Sequence, residues 1–221
     1  MRLKSKQSNS INKIKISKSC RAANNSYHHG DLRNKLLHAA VAIVKKNGLE
    51  GLSLRKIAAF VGVSHTAPAH HFGNLRGLLA ALATQGFIKL AELMQRSMLQ
   101  ADNPLAGFLA AGKAYVSYAE KYTSIFRIMH HASLEKKTDL PELLRASQAA
   151  FTVLIEAITS CQKANLLKKG EPSLMALAAW SLAHGLSVLA IDRQLPGKGI
   201  VKAAKNTAQG VLNELYLGFR L

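Results

Sequence analysis

The feature that most constrains the fold is a three-residue break, Gly62-Val63-Ser64, between two short apolar runs. The run after Ser53 has helical spacing, with its apolar residues on one face: Leu54, Ile57, Ala58 and Val61. The run that follows the break extends to about His71. Helices this short are marginal alone in water, so neighbouring helices must hold them. Two such helices joined by a glycine-containing turn predict a helix-turn-helix, with Ser53 and Ser64 as helix caps.

Longer helical patterns surround this hairpin. A helix is predicted from Asp31, its expected N-cap, to residue 46, and another from Asn74 to about Leu99. Prolines and polar clusters divide the rest of the chain into further helical blocks, at 104–121, 123–131, 140–165, 172–193 and 198–217. Sustained alternation of apolar and polar residues is missing from the sequence, so the predicted fold class is all-α.

The charge of the chain favours a polyanionic partner. The formal net charge is +18, and residues 1–90 carry 15 Lys and Arg against two acids, Asp31 and Glu50. Residues 1–26 alone hold seven Lys and Arg, no acid and many Ser and Asn. This composition predicts a disordered basic arm that adds salt-sensitive affinity, with insertion into the minor groove as the alternative.

A helix-turn-helix in a basic segment predicts binding to double-stranded DNA. The small residues Thr66, Ala67 and Ala69 allow the second helix to approach the floor of the major groove, so His65, Thr66 and His70 are candidates for contacts to bases or phosphates. Ser53 is able to offer a hydroxyl or backbone N–H to a phosphate, and Arg55 and Lys56 add Coulombic attraction. The candidate DNA contacts from the residues themselves are Ser53, Arg55, Lys56, Ser64, His65, Thr66, Ala67 and His70.

Several segments are also similar to a known family. "YHHGDLR" (27–33), "LSLRKIAAFVGVS" and "APAHHF" resemble the DNA-binding domain of tetracycline-repressor (TetR) family regulators. "YAEKYTSIFRIM" (118–129) and Trp180…His184-Gly185 resemble the subgroup whose C-terminal domain is named for a Trp…His-Gly signature. The resemblance implies a helix-turn-helix domain at residues 27–73 and an effector-binding and dimerisation domain at 74–221. It further implies a homodimer joined through 172–193 and 198–217, and release from an operator when a small effector binds.

The resemblance adds His71 and Arg76 as candidate DNA contacts, and the chain departs from the subgroup pattern at two places. His71 matches the histidine that contacts phosphate, and Phe72 matches a core phenylalanine. The subgroup usually has Tyr-Arg where this chain has Ala69-His70, and a phosphate-binding Lys where it has Leu75. Arg76, His70 or the basic arm are the candidates to compensate. The operator sequence therefore cannot be carried over from the family.

In the C-terminal part, Trp180 and His184 are one helical turn apart and share a face. With Phe126 and Met129 they are the predicted lining of an effector pocket, and the alternative is an ordinary helix core. A mostly apolar pocket favours a hydrophobic or aromatic effector.

Other functions find less support. The adjacent His pairs point about 100° apart on a helix, unlike metal-binding i, i+4 pairs, so neither metal nor cofactor is expected. Cys20 and Cys161 form no disulfide framework, which fits a reducing cytoplasm. Leu174 to Ile191 has no charged residue but is rich in Ala, so burial in protein is preferred to a membrane span. The alternatives kept open are a peripheral membrane or RNA-binding protein and an enzyme with a helical pocket, although no catalytic motif is recognised.

Overall fold

Helices make up the regular structure of the residues that the computed structural model describes, 26–195 and 204–220. Pro104, Pro141 and Pro172 each stand at the first position of a helix, where a missing N–H costs no hydrogen bond. Two short 3₁₀ turns, Ala132–Leu134 and Lys137–Asp139, separate α6 from α7. The helices are α1 (Ser26–Asn47), α2 (Leu54–Val61), α3 (Ala67–Phe72), α4 (Leu75–Leu99), α5 (Pro104–Lys121), α6 (Thr123–Met129), α7 (Pro141–Lys163), α8 (Pro172–Ile191) and α9 (Ala204–Phe219).

The all-α prediction is confirmed, and the main errors are at helix starts. Helix α1 begins at Ser26, five residues before Asp31, so Asp31 is not its N-cap. Asp31 instead pairs with Lys35, one turn later, at 2.6 Å. The arm predicted over 1–26 lies outside the described residues apart from Ser26, as does the start of the helix predicted at 198–217.

Helix α4 connects the helix-turn-helix hairpin to the helices that follow. Two residues separate its first residue from the end of α3, and it packs against α5, α6 and α7. Its contact with α6 is close at Gly86, where a Cβ atom would lie 2.7 Å from both Ile125 Cγ2 and Met129 Sδ. Tyr118 on α5 donates its hydroxyl to the Gly86 carbonyl at 3.0 Å. Helix α4 is therefore in close contact with both α5 and α6 at this point.

Within the described residues, two helices, α4 and α8, are long and apolar enough to cross a membrane. Helix α4 is apolar because its residues form the centre of the core, among them Leu78, Leu82, Leu90 and Met94. Helix α8 is different, since Leu174, Leu177, Val188 and Leu189 are all exposed. With Ala178, Ser181 and Gly185, which are also exposed, these residues recur at helical spacing. We call this set the α8 face. A contiguous exposed apolar face of this kind marks an interaction surface.

Candidate DNA-binding hairpin and effector cavity

The hairpin starts with the cap that the sequence predicts. The Lys56 N–H donates to Ser53 Oγ at 3.3 Å, and Ser53 has the extended backbone of an N-cap residue. The Lys56 ammonium donates to the Gly51 carbonyl at 3.0 Å, so it lies close to the preceding loop. Arg55 is exposed. The start of α2 therefore presents a hydroxyl, a guanidinium and an ammonium to solvent.

The turn at Gly62 confirms the prediction that opened the sequence argument. Gly62 is left-handed, with φ of 77°, and its N–H donates to the Ala58 carbonyl at 2.9 Å. The Val63 N–H donates to the same carbonyl at 3.0 Å. A left-handed residue at this position ends the helix, and glycine adopts it without a Cβ penalty.

The second helix of the hairpin, α3, is shorter than predicted. It covers Ala67–Phe72, and Ser64 does not cap it, since Ser64 Oγ lies 3.2 Å from Thr66 Oγ1. Pro68, at the second position of α3, lacks the N–H that a longer helix would need and fixes the helix start. His65 and Thr66 consequently lie in the turn before α3. Together with Ser64 and His70 they form an exposed polar surface, while Ala67 is half-buried.

The end of α3 is pressed against the start of α4. His71 and Phe72 are half-buried, and the Arg33 guanidinium of α1 lies 5.3 Å from the centroid of the Phe72 ring. A Cβ atom at Gly77 would collide with the Phe72 carbonyl oxygen. The orientation of α3 is thus tied to the orientation of α4 through backbone contact.

Arg76 contacts a different partner from the one expected. Its guanidinium donates to the carbonyls of Ser133 and Lys136, both at 2.9 Å, and lies 3.8 Å from an Asp139 carboxylate oxygen. These contacts engage it with the segment between α6 and α7. The phosphate contact of Arg76 stays a prediction. In the structure Arg76 joins the start of α4 to the C-terminal domain, because that segment folds back beside it.

A cavity of about 550 Å³ lies between α4, α5, α7 and α8. Its walls are mostly apolar and aromatic, and its volume is typical of small-molecule sites. The lining residues are Phe87, Leu90, Met94, Tyr115, Lys137, Ser147, Gln148, Ala150, Phe151, Thr152, Leu154 and Trp180.

Of the four predicted effector contacts, Trp180 alone is among these lining residues. Phe126 and Met129 are 2% and 1% exposed and belong to the core, so the structure does not place them in the cavity wall. Phe126 packs on the rings of Tyr115 and His184, and Met129 lies beside Gly86 of α4. His184 stands behind the cavity wall. The Trp180 indole N–H donates to the Tyr115 hydroxyl at 3.1 Å, and that oxygen lies 3.0 Å from His184 Nδ1.

The protonation pattern of this group follows from its hydrogen bonds. An indole N–H only donates, so the Tyr115 hydroxyl accepts from Trp180, and a second hydrogen bond joins the same oxygen to His184 Nδ1. Burial raises the pKa of Tyr115 and lowers that of His184, which keeps both groups neutral. We call Tyr115, Phe126, His130, Trp180 and His184 the aromatic cluster.

His130 is the most perturbed histidine of the aromatic cluster. Its Nδ1 lies 2.9 Å from the Phe126 carbonyl, which only accepts, so Nδ1 carries the proton. Its Nε2 is buried and has no hydrogen-bond partner among the described residues. Burial, with His184 and Lys137 nearby, lowers the pKa of His130 to about 4. The ring centroids of His130 and His184 are 4.4 Å apart.

Sequence reasoning missed Lys137, Phe87 and Phe151 as cavity residues. Phe87, Leu90 and Met94 have the helical spacing of a shared face, which was a usable signal. Lys137 gave no such signal, because it lies in the polar run Glu135–Asp139, which has the composition of a solvated loop.

Comparisons with known proteins agree with this two-part architecture. Residues 36–82 match the family model for bacterial regulatory proteins of the tetR family, and residues 108–209 match the tetracyclin repressor-like C-terminal domain. The first match contains the hairpin, and the second contains Trp180 and His184. The assignment to the subgroup with the Trp…His-Gly signature stays a prediction.

The similar proteins include one curated relative and many solved structures. The chain is 38% identical over 76 residues to the tetracycline repressor protein class A from transposon 1721 of Escherichia coli, a match that spans 34% of each chain. A protein with unknown function from Rhodococcus sp. RHA1 is 30% identical, with a TM-score of 0.75 over 90% of this chain and 100% of the other.

The TetR family transcriptional regulator PfmR from Thermus thermophilus shares the fold at 15% identity, with a TM-score of 0.66 over 83% of this chain and 97% of that one. These matches do not favour the membrane, RNA-binding or enzyme alternatives. On the hairpin, the helical C-terminal domain and the two family matches, the chain belongs to the tetR family of bacterial transcriptional regulators.

Proposed function

We propose that this protein is a homodimeric transcriptional repressor of the bacterial cytoplasm, which binds double-stranded operator DNA and releases it when a small molecule enters the cavity. The observation that carries the proposal is the path of α4. This helix starts against the end of α3 and supplies Phe87, Leu90 and Met94 to the cavity wall. A ligand in the cavity therefore touches the same helix that sets the orientation of the hairpin.

The exposed polar surface of the hairpin is the proposed DNA contact. His65, Thr66 and His70 are exposed, in the turn before α3 and on α3 itself. The major groove of DNA is wide enough to admit such a helix, so these side chains are placed to contact base edges. Ser53, Arg55 and Lys56 at the start of α2 lie where the first helix of such a motif crosses the phosphate backbone. His71 is half-buried and contributes its exposed part to the same surface.

The α8 face is the proposed dimer interface. Its leucines stand at the two ends, and Ala178, Ser181 and Gly185 lie between them. Space beside Gly185 is open, since a Cβ atom there would meet nothing within 4 Å. Small residues in this position allow a second α8 to approach closely. A two-fold dimer built on this face presents one hairpin per subunit, and two hairpins match half-sites about 34–36 Å apart.

Release of DNA is proposed to pass through Arg76 and Gly77. Arg76 holds the carbonyls of Ser133 and Lys136, and Lys136 directly precedes the cavity residue Lys137. Gly77 keeps the start of α4 in contact with the Phe72 carbonyl. A ligand that displaces α4 or the Ser133–Asp139 segment changes the angle of α3, and because half-site spacing is fixed, a few ångströms are sufficient to weaken binding.

The proposal is tested by selecting duplexes from a random library with the purified full-length protein. We expect a palindromic site, and an affinity whose logarithm falls linearly with the logarithm of salt concentration. An affinity for duplexes that does not change with salt, or a failure to enrich any duplex, would contradict the proposal.

A matched pair of arginine variants sharpens this test. Arg55→Ala removes a proposed phosphate contact, while Arg145→Ala removes an exposed arginine of α7. We expect Arg55→Ala to weaken binding to all duplexes. The slope of log affinity against log salt concentration should fall by about 1, because one phosphate fewer is neutralised and its counterion is not released. Arg145→Ala should leave the slope unchanged. Equal slopes for both variants would show that the start of α2 does not contact DNA.

A further inference from the structure

Among the described residues that line the cavity, Lys137 alone carries a formal charge. Its ammonium nitrogen lies 5.0 Å from the centroid of the Phe87 ring, a cation–π contact with the cavity wall. The side chain is half-buried, and desolvation lowers its pKa. Among the described residues no carboxylate lies within salt-bridge distance of it, and the nearby Asp139 is directed to Arg76.

The other polar groups of the cavity wall are already engaged. The Tyr115 hydroxyl bonds both Trp180 and His184. The Ser147 and Thr152 hydroxyls donate to backbone carbonyls of their own helix, at 2.9 and 3.0 Å. The donors left for a ligand are the Lys137 ammonium and, within the described part of the chain, the Gln148 amide. Both supply N–H groups, so the site is suited to a ligand with acceptor oxygens at one end.

A cation in an apolar cavity gains more from an anionic partner than from a neutral one. Charge-assisted hydrogen bonds are roughly twice as strong as neutral ones, and a desolvated ammonium without a partner is costly. A carboxylate ligand compensates the ammonium of Lys137 for the hydration that burial has removed. A neutral amide of the same shape leaves the positive charge uncompensated.

We propose that the cavity binds an amphipathic small molecule with a single carboxylate, whose oxygens contact Lys137 and whose apolar part packs on Phe87, Phe151 and Trp180. The proposal rests on the effector cavity of the proposed function and specifies the chemical class of the effector. Lys137 is then the residue that determines specificity for anionic over neutral ligands. Lys137 directly follows Lys136, whose carbonyl accepts from Arg76, so a carboxylate bound to Lys137 lies next to the link to the hairpin.

The test uses the single tryptophan of the chain as its probe. Trp180 lines the cavity, so its fluorescence reports ligand entry. The full-length protein is titrated with 4-phenylbutyrate and octanoate, each beside its primary amide. We expect each carboxylate to bind about tenfold more tightly than its amide, a preference of the size that one charge-assisted contact supplies.

Two lysine variants locate the preference. Lys137→Met should reduce the carboxylate preference to within about twofold while the amides still bind, and Lys137→Arg should keep it. Lys136→Met is the matched control, because Lys136 is adjacent and exposed but does not line the cavity. The control should keep the parent preference.

The proposal is overturned by any of three results. Neither carboxylate binds the parent, the amides bind as tightly as the carboxylates, or Lys137→Met keeps the full preference. Binding of the amides to Lys137→Met shows that its cavity is folded, and if that variant does not fold, Lys137→Arg and the parent still decide. Operator binding is measured separately, so loss of carboxylate preference with intact DNA binding refutes this inference alone.

Discussion

The hairpin and the aromatic cluster both contain histidines, and they use them in opposite ways. In the hairpin, His65 and His70 are exposed, and the helices are held by the Ser53 cap, the Gly62 turn and packing against α1 and α4. In the aromatic cluster, the rings of His130 and His184 pack on each other behind the cavity, and the Nδ1 atom of each is hydrogen-bonded.

The difference separates polar groups that the fold needs from those that it does not. The exposed side chains of the hairpin contribute little to stability, which leaves them available for a ligand such as DNA. Hydrogen bonds join the polar atoms of Tyr115, Trp180 and His184, and removing one of these atoms leaves its partner unsatisfied at a cost. Substitutions in the hairpin should therefore weaken DNA binding without lowering the free energy of unfolding. Substitutions in the aromatic cluster should mainly lower the free energy of unfolding.

The largest expected effect comes from replacing His65, Thr66 and His70 together with alanine. Each contact to a base or phosphate is worth about 1–3 kcal/mol, so operator affinity should fall by about 100-fold or more. The free energy of unfolding should change by only about 0.5 kcal/mol for each exposed position. Fluorescence anisotropy with labelled operator and chemical denaturation measure the two quantities.

His38→Ala, at an exposed position of α1, is the control for this triple variant and should change neither quantity. If the triple variant keeps the parent's affinity and sequence selectivity while folded and dimeric, the assignment of the hairpin surface to DNA is wrong.

The next effect is a loss of stability in acid that is due to His130. Its pKa is about 4 in the folded protein and about 6.5 when unfolded. Between these values the unfolded state binds more protons, so this contribution is full above pH 6.5 and is lost as the pH falls toward 4. The loss should be about 3 kcal/mol in the free energy of unfolding.

Urea denaturation at a series of pH values measures this loss. His130→Phe keeps a ring beside Phe87 and Phe126 but cannot be protonated, so its profile should be flatter between pH 6.5 and 4. Parallel profiles for the parent and His130→Phe would exclude His130 as the source of the acid sensitivity.

A smaller effect is expected from Tyr115→Phe. The change removes the hydroxyl that accepts from Trp180 and is hydrogen-bonded to His184 Nδ1. Leaving these groups unsatisfied should lower the free energy of unfolding by about 1–3 kcal/mol. Tyr122→Phe is the matched control, because the Tyr122 hydroxyl has no hydrogen bond within the described residues, and it should have little effect. Equal stability of the two variants would mean that the Tyr115 hydroxyl does not support the cluster.

The hairpin was largely predictable because its determinants are local. Gly62 needs no partner beyond Ala58 to adopt its left-handed conformation, and Ser53 caps the N–H three residues ahead. The start of α3 was misplaced because Ser64 has the composition of a cap but bonds Thr66 instead. Trp180 was identified as a cavity residue by its helical spacing and its resemblance to the family. Phe126 and Met129 were not separable from core residues, since apolar spacing looks the same in both cases.

The sequence by itself determined the helices, the hairpin turn and the basic character of the first 90 residues, since these depend on neighbours along the chain and on composition. The tertiary structure decided which apolar faces close on each other and which enclose a cavity. It also decided that Arg76 donates to the Ser133–Asp139 segment and that the Lys137 ammonium lies over the Phe87 ring. These outcomes depend on how α4, α5, α7 and α8 meet, and the desolvation of a side chain by distant helices has no counterpart in the residues beside it.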